Sequence, residues 1–329
     1  MKSRSLTLKL VTTVMIFCIT GSVYAAERSS EDIAEIYRLA ATLAAGDDHQ
    51  RLIQSVCPAN PRIPEPVQSA SAPRPERIIP PIADWYREPA KVFDELYFVG
   101  TDEHSSWAIV SDDGIMLLDT VFDYATGDAI VGGLKKLGFD PADIEYVFIS
   151  HGHGDHHGGA KYLQDEFGAR IIMGAADWDL VSQNSRDPSP RQDIVASDGM
   201  IFELGNTTVT LFETPGHTEG TFSSLITVRD NGEEHLAVSW GGTAIWPRTP
   251  TEQVQYYIDS SVRMQNIVQT RGADVLIANH LVFDHSREKL PQLETRRAGE
   301  PHPYVVGTEH VVRYLQVAEN CARSEMAYR

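Results

Sequence analysis

Apolar positions fall in two rhythms along this chain. From Val92 onward, short apolar runs of strand length alternate with stretches whose apolar residues recur every three or four positions. Leu96–Gly100 and Trp107–Val110 read as strands, and Asp112-Asp113-Gly114 reads as the turn into a third, Ile115–Asp119. Ile130, Leu134 and Leu137 predict a helix that stops at Gly138. Tyr146–Ile149 is the continuous apolar run expected of a strand covered on both faces. A helix over Ala160–Phe167 and strands at Arg170–Met173, Thr207–Glu213, Phe222–Val228 and Leu236–Ser239 follow, then a helix over Val254–Thr270 and a last buried strand at Val275–Ala278. Strands and helices interleave throughout, so the class is layered α/β.

The flanks read differently. Ser29-Ser30-Glu31-Asp32 has the form of a capping box, with Ile33, Ile36, Ala40 and Leu43 on one face of the helix that follows and Gly46 at its stop. Cys57 to Pro81 is rich in proline and reads as an extended wrapping segment. At the other end Val311, Val312, Leu315, Ala318 and Ala322 give a C-terminal packing helix one apolar face, with Thr308 as its expected cap. Ahead of everything, Lys2, Arg4 and Lys9 precede an apolar run from Leu10 to Ile19, and Val23-Tyr24-Ala25 closes it with small residues. That order is the pattern of a secretory signal peptide. The run falls short of the ~20 residues a membrane-spanning helix needs, which argues against an anchor. The expected organisation is therefore a signal peptide over 1–25, a helix and wrapping segment over 26–90, a catalytic domain over 91–300 and the C-terminal helix over 301–329.

Charge narrows the partners. Among 329 residues, 28 Lys and Arg face 46 Asp and Glu, a formal net charge of -18. Such a chain repels phosphate backbones and anionic lipid, and no basic run offsets this locally, so nucleic acid is not expected as a partner. A small-molecule substrate is, with no membrane span in the mature chain, which is expected to be periplasmic or secreted. The sequence does not set an oligomeric state. Cys18 would leave with the signal peptide, and in an oxidising compartment Cys57 and Cys321 are expected to pair.

The chemistry concentrates at Ser150-His151-Gly152-His153-Gly154-Asp155-His156-His157-Gly158-Gly159. Within the six residues His151–His156, three imidazoles and a carboxylate lie between a buried strand and a helix. His151 and His153 alternate on an extended end, and Gly154 permits the turn that brings Asp155 and His156 round. Imidazole suits zinc, and a carboxylate adds charge neutralisation. His157 is expected to point away. His49, His104, His235, His285, His302 and His310 read as solvated or hydrogen-bonded structural residues, and Trp246, in a loop, as a pocket candidate.

This His-x-His-x-Asp-His run resembles the signature of the metallo-β-lactamase superfamily, and the likeness extends over roughly Val92 to His285. Thr214-Pro215-Gly216-His217-Thr218-Glu219-Gly220 resembles the family's second metal segment, and Val275-Leu276-Ile277-Ala278-Asn279-His280 its last strand and final histidine. The resemblance implies an αβ/βα sandwich with N- and C-terminal helical additions. It implies two Zn2+ ions, one held by His151, His153 and His217, the other by Asp155, His156 and His280, with Asp119 behind the ligands. It implies a metal-bound hydroxide that attacks a carbonyl, with Asp155 orienting it. Leu236-Ala237-Val238-Ser239-Trp240-Gly241-Gly242-Thr243 carries neither the bridging aspartate of glyoxalase-type thioesterases and lactonases nor a cysteine. That absence resembles the third subclass (B3) of metallo-β-lactamases and implies hydrolysis of a cyclic amide. Where that subclass often has serines binding the antibiotic's carboxylate, Gly241 and Thr243 stand, leaving Thr243 as the substrate-binding candidate. Leu281 follows the final histidine in place of the frequent proline. A lactonase, esterase or thioesterase is the alternative expectation, and a non-catalytic metal-binding protein a third.

Overall fold

A computed structural model describes residues 29–57, 77–184, 186–245 and 249–329. The signal-peptide pattern, most of the proline-rich segment and Trp246 lie outside the described residues. A first sheet contains seven strands in the order β1 to β7: Ala90–Lys91, Leu96–Phe98, Trp107–Ser111, Gly114–Leu118, Ile144–Phe148, Arg170–Met173 and Ile194–Val195. Its first three pairings are antiparallel and its last three parallel. A second sheet contains β8 (Ile201–Leu204), β9 (Thr207–Glu213), β10 (Phe222–Asp230), β11 (Glu233–Ser239) and β12 (Val275–Ile277), antiparallel except for the β11–β12 pair. The strands β1, β7 and β8, two, two and four residues long, were not expected from the pattern.

Side-chain alternation sorts the core into three layers. On β3 and β4, Ile109, Met116 and Leu118 point between the sheets, where they meet Val209, Leu211, Ile226 and Ile277 of the second sheet. Ala108, Ile115 and Leu117, one position out of phase, point outward and meet helix residues Ile130, Leu134 and Leu163. Because both faces of these strands are covered, their sequences are apolar without a break. Behind the second sheet, Leu225, Val238 and Leu276 pack on the helices of that side. Sheets face each other with helices on both outer sides: this is the αβ/βα sandwich that the motifs implied.

The helices are α1 (Ser30–Ala45), α2 (Gln50–Val56), α3 (Asp123–Thr126), α4 (Gly132–Lys136), α5 (Gly154–His157), α6 (Ala160–Phe167), α7 (Ala175–Ser182), α8 (Thr251–Arg271), α9 (Leu281–Asp284), α10 (Ser286–Thr295) and α11 (Thr308–Met326). A π-helical turn over Gly127–Val131 joins α3 to α4, so the helix expected near Ile130 starts earlier than its apolar spacing suggests. The α1 capping box forms as expected, with Ser29 and Asp32 exchanging hydrogen bonds. Its buried face is different from the one expected. Ala34, Ala41 and Ala45 pack inward, while Ile36 and Leu43 are exposed. Small residues win because α1 lies close against α11, where a longer side chain has no room. At α11 the cap is Gly307, at φ 87°, and Thr308 is already inside the helix. Cys57 and Cys321 are bonded, with Cα atoms 5.0 Å apart, tying the end of α2 to α11. Among the described residues no helix is long and apolar enough to cross a membrane.

Candidate metal centre

The sandwich delivers its chemistry to one edge. His151 and His153 follow β5, His217 lies between β9 and β10, and His280 directly follows β12. Asp119 follows β4, and the Gly241–Thr243 segment follows β11. Two sets of side chains meet there. The nitrogens of His151, His153 and His217 all lie within 4.8 Å of one another, as do ligand atoms of His104, Asp155 and His280. His156 joins the second set through Asp155, its Nε2 standing 3.2 Å from Asp155 Oδ2. His153 Nδ1 and His217 Nε2 are 3.0 Å apart.

Three of the imidazoles are aimed by a contact on the other nitrogen. His151 Nδ1 meets the Gly241 carbonyl at 2.7 Å, His217 Nδ1 meets the Ala244 carbonyl, and His156 Nδ1 meets Asp119 Oδ2 at 2.9 Å. These partners take up the Nδ1 proton and leave Nε2 with a lone pair facing the cluster. The buried Nε2 atoms of His151 and His156 have no hydrogen-bond partner. A buried nitrogen without a partner is costly unless something binds it. Ligands ~2.0–2.1 Å from a tetrahedral zinc stand about 3.3 Å from one another, and the 3.0 and 3.2 Å separations here are close to that. The donor set and its spacing fit a pair of zinc ions.

For His151, His217 and His280 the electrostatics agree. Burial pushes the His151 and His280 imidazoles well below their ordinary range, and neighbouring histidines push the same way. Burial, then His153, takes His217 down to about 3. These rings are neutral at pH 7, as metal ligation requires. Burial alone would raise the Asp155 carboxyl, but the His156 charge and the close approach of the His104 and His156 rings hold it well below the carboxylate range. Burial would likewise lower His156, yet the Asp155 and Asp119 carboxylates outweigh it and push that ring up to about 10.

Asp119 anchors the site from behind. Its carboxylate accepts from the Ser150 backbone N–H at 2.7 Å, the Ser150 hydroxyl at 2.8 Å and His156. Its backbone and that of Val121 both sit at positive φ, 61° and 54°. A β-branched residue there is strained, and the strained turn is what aims Asp119 beneath the ligands. Asp177, at the start of α7, was not expected. It is buried and accepts from Gly152 N at 2.6 Å, Thr218 Oγ1 at 2.7 Å and Gly220 N at 3.1 Å, so one carboxylate joins the His151–His153 loop to the His217 loop. Nothing in the spacing of Asp177 marks this role. His104 was also missed, because a lone histidine in a strand connection carries no signal by itself.

The remaining expectations divide. Thr243 lines the cavity over the metal cluster, though its hydroxyl already pairs with Tyr314 at 3.1 Å. His157 is buried and belongs to neither set of ligand atoms. The cavity, about 600 Å³, is lined by the six expected ligands together with Ser55, Glu103, His104, Thr243, Asn279 and Phe283 among others.

Comparison with known proteins follows the same lines. The family model described as the metallo-beta-lactamase superfamily matches residues 99–251. A subclass B3 metallo-beta-lactamase of Bradyrhizobium japonicum, BJP-1, superposes with a TM-score of 0.63 at 27% identity, over 71% of this chain and 92% of that one. The metallo-beta-lactamase FEZ-1 from Legionella gormanii shares the fold at TM-score 0.63 and 24% identity, over 70% of this chain and 92% of that one. Among curated proteins, a hydroxyacylglutathione hydrolase of Acidiphilium cryptum is 38% identical over 77 residues, 23% of this chain and 28% of that protein. An N-acyl homoserine lactonase of Bacillus sp is 31% identical over 118 residues, 34% of this chain and 44% of that protein. The chain thus spans less than half the length of these curated relatives.

Proposed function

We propose that this chain, which carries a metallo-beta-lactamase superfamily domain, is an exported dizinc hydrolase that opens a cyclic amide of the β-lactam type. The observation that supports it is the pair of ligand sets at the floor of one cavity, with two buried Nε2 atoms that have no other partner. In this reading His151, His153 and His217 hold one zinc, and Asp155, His156 and His280 the other. Metal bound there would supply an activated water and Lewis-acid polarisation of the substrate carbonyl. The chain's own residues do the rest. Asp155 orients the water by its carboxylate, and Asp119 keeps the proton of His156 on Nδ1. The walls above the site hold the substrate with its carbonyl towards the floor, with Thr243 as a hydrogen-bonding contact. No serine is needed as nucleophile, and Ser150 is already engaged by Asp119. Residues 91–300 form the catalytic domain in this reading, with 26–90 and 301–329 as the helical additions around it. The amino-terminal signal pattern over 1–25 and the Cys57–Cys321 bond support a periplasmic or secreted location.

One observation favours the second reading, a lactone, ester or thioester as substrate. The described lining of the cavity includes Glu103 and Asp155 but neither lysine nor arginine. Among the described residues a substrate carboxylate finds no cationic side chain there, whereas a neutral lactone needs none. The test is a parallel assay of nitrocefin, a carbapenem, acyl-homoserine lactones and a thioester on the zinc-loaded protein, each with and without chelator. Chelator-sensitive turnover of the β-lactams supports the first reading. Turnover confined to lactones or thioesters replaces it with the second. No turnover of any class, with two zincs bound, leaves a metal-binding protein.

A further inference from the structure

His104 is the residue at this edge that the sequence motifs leave unused. It lies in the connection between β2 and β3, and that connection is built to hold it still. Its backbone N–H donates to Thr101 Oγ1 at 2.9 Å, and its carbonyl accepts from Thr101 N at 2.8 Å. A Cβ on Gly100 would stand 2.4 Å from that carbonyl, so the turn closes only over glycine. The loop is then stitched to the end of β12. Ser105 N donates to Asn279 O at 2.9 Å, Leu281 N donates to Glu103 O at 3.2 Å, and His104 pairs with His280 in an antiparallel bridge. Residues directly opposite on paired backbone point their side chains the same way. The two rings are 4.9 Å apart, and the edge of Phe122, 5.1 Å away, closes the far side of His104.

The result is a third imidazole around Asp155. The Nε2 atoms of His156, His104 and His280 stand 3.2, 3.4 and 3.6 Å from Asp155 Oδ2. A well-formed N–H···O bond falls at 2.7–3.2 Å, so the longer two are poor hydrogen bonds. The three separations together bracket the ~3.3 Å that separates neighbouring ligands of a tetrahedral zinc. The His104 side chain is 12% exposed, so water contributes little to its partners.

We propose that His104 is a fourth protein ligand of the second metal position, beside Asp155, His156 and His280. This rests on the two-metal reading above. Three imidazoles and one carboxylate fill a tetrahedral shell, which is the arrangement of closed sites, whereas three protein ligands leave a position open. The second position is then closed by the protein, and the His151, His153 and His217 set alone keeps a free coordination position for small molecules.

Equilibrium dialysis of the full chain against buffered free zinc, with metal counted per chain, tests this. Wild-type protein is expected to bind two zincs, and His104→Ala to keep one affinity while losing at least tenfold on the other. His104→Gln, which preserves size, is expected to behave as His104→Ala, and circular dichroism of the metal-free variants shows that both fold. With cobalt in place of zinc, the visible absorption of the second position should shift in both variants, because one nitrogen has left its shell. A crystal structure of the zinc-loaded wild type, independent of any variant, should place His104 Nε2 ~2.1 Å from the metal. Two zincs bound with unchanged affinities and an unchanged cobalt spectrum in His104→Ala overturn the role of His104 while leaving the two-metal reading intact. A wild-type chain that takes up no zinc overturns both.

Discussion

Replacing Asp119 by asparagine removes no atom from the fold, yet it should disable the second metal position. The carboxylate accepts three hydrogen bonds, two from Ser150 and one from His156 Nδ1. An asparagine has one acceptor oxygen and one N–H donor group. If its oxygen stays on the Ser150 backbone N–H, its amide nitrogen faces His156 Nδ1, donor against donor. His156 relieves this by moving its proton to Nε2, the nitrogen that faces the cluster. A protonated Nε2 is not a ligand. The same inversion explains the large loss when the triad aspartate of a serine protease becomes asparagine. Loss of such a supporting contact costs metal sites ~10–100-fold in affinity, or about 1.4–2.8 kcal/mol. The Ser150 hydroxyl can rotate to accept from the amide, so the effect should fall mainly on His156. Zinc dialysis on Asp119→Asn should therefore show one weakened affinity and one preserved. Asp119→Ala should lose less selectivity and more thermal stability, since Ser150 N then lies buried without an acceptor. Equal affinities in Asp119→Asn and wild type would refute the tautomer argument.

Two further outcomes are expected. Cys57 and Cys321 lie 264 positions apart, and loop-closure entropy assigns such a bond up to ~5 kcal/mol through the unfolded chain; the Cys57→Ala/Cys321→Ala variant should unfold at markedly lower urea, and an unchanged midpoint would refute this. In metal-free protein, burial holds His217 and His49 near about 3 and His310 near about 4, below the ordinary histidine value, so the unfolded chain takes up protons first as pH falls and stability is lost from about 6.5 downward. His156, pushed up to about 10, has the opposite sign, and its contribution fades as pH rises from 6.5 towards 10. Urea midpoints of chelator-treated protein should peak near neutrality, and a flat profile between pH 7 and 4 would contradict the first part.

Much of this was legible in the residues. The central strands of the first sheet are apolar on both faces because both faces are covered, and the His151–His156 run announces metal chemistry through spacing that a buried strand and a glycine turn make meaningful. What was not legible depends on distance in sequence. His104 reads as an isolated histidine until a backbone bridge sets it opposite His280, and Asp177 reads as an ordinary acid near a helix start until two distant loops converge on it. The α1 face went the wrong way for a related reason. Apolar spacing reports which residues prefer burial, but the closeness of α11 decided that alanines occupy the contact.

The walls of the cavity have separate origins. His104, His151–His156 and His217 fall inside the segment that the superfamily model matches, residues 99–251, Asn279, His280 and Phe283 come from beyond it, and Ser55 reaches the cavity from α2, far upstream in the chain. Two residues on, Cys57 fastens that helix to α11. In the proposed reading, most of the metal ligands and one wall of the cavity are therefore carried by separable pieces of polypeptide. Changes in α2 can reshape what enters without disturbing the ligands on the floor, and the covalent tether lets that wall vary in sequence while keeping its place. A laboratory search for altered substrate preference would do well to begin at Ser55 and its neighbours on α2 rather than at the histidines.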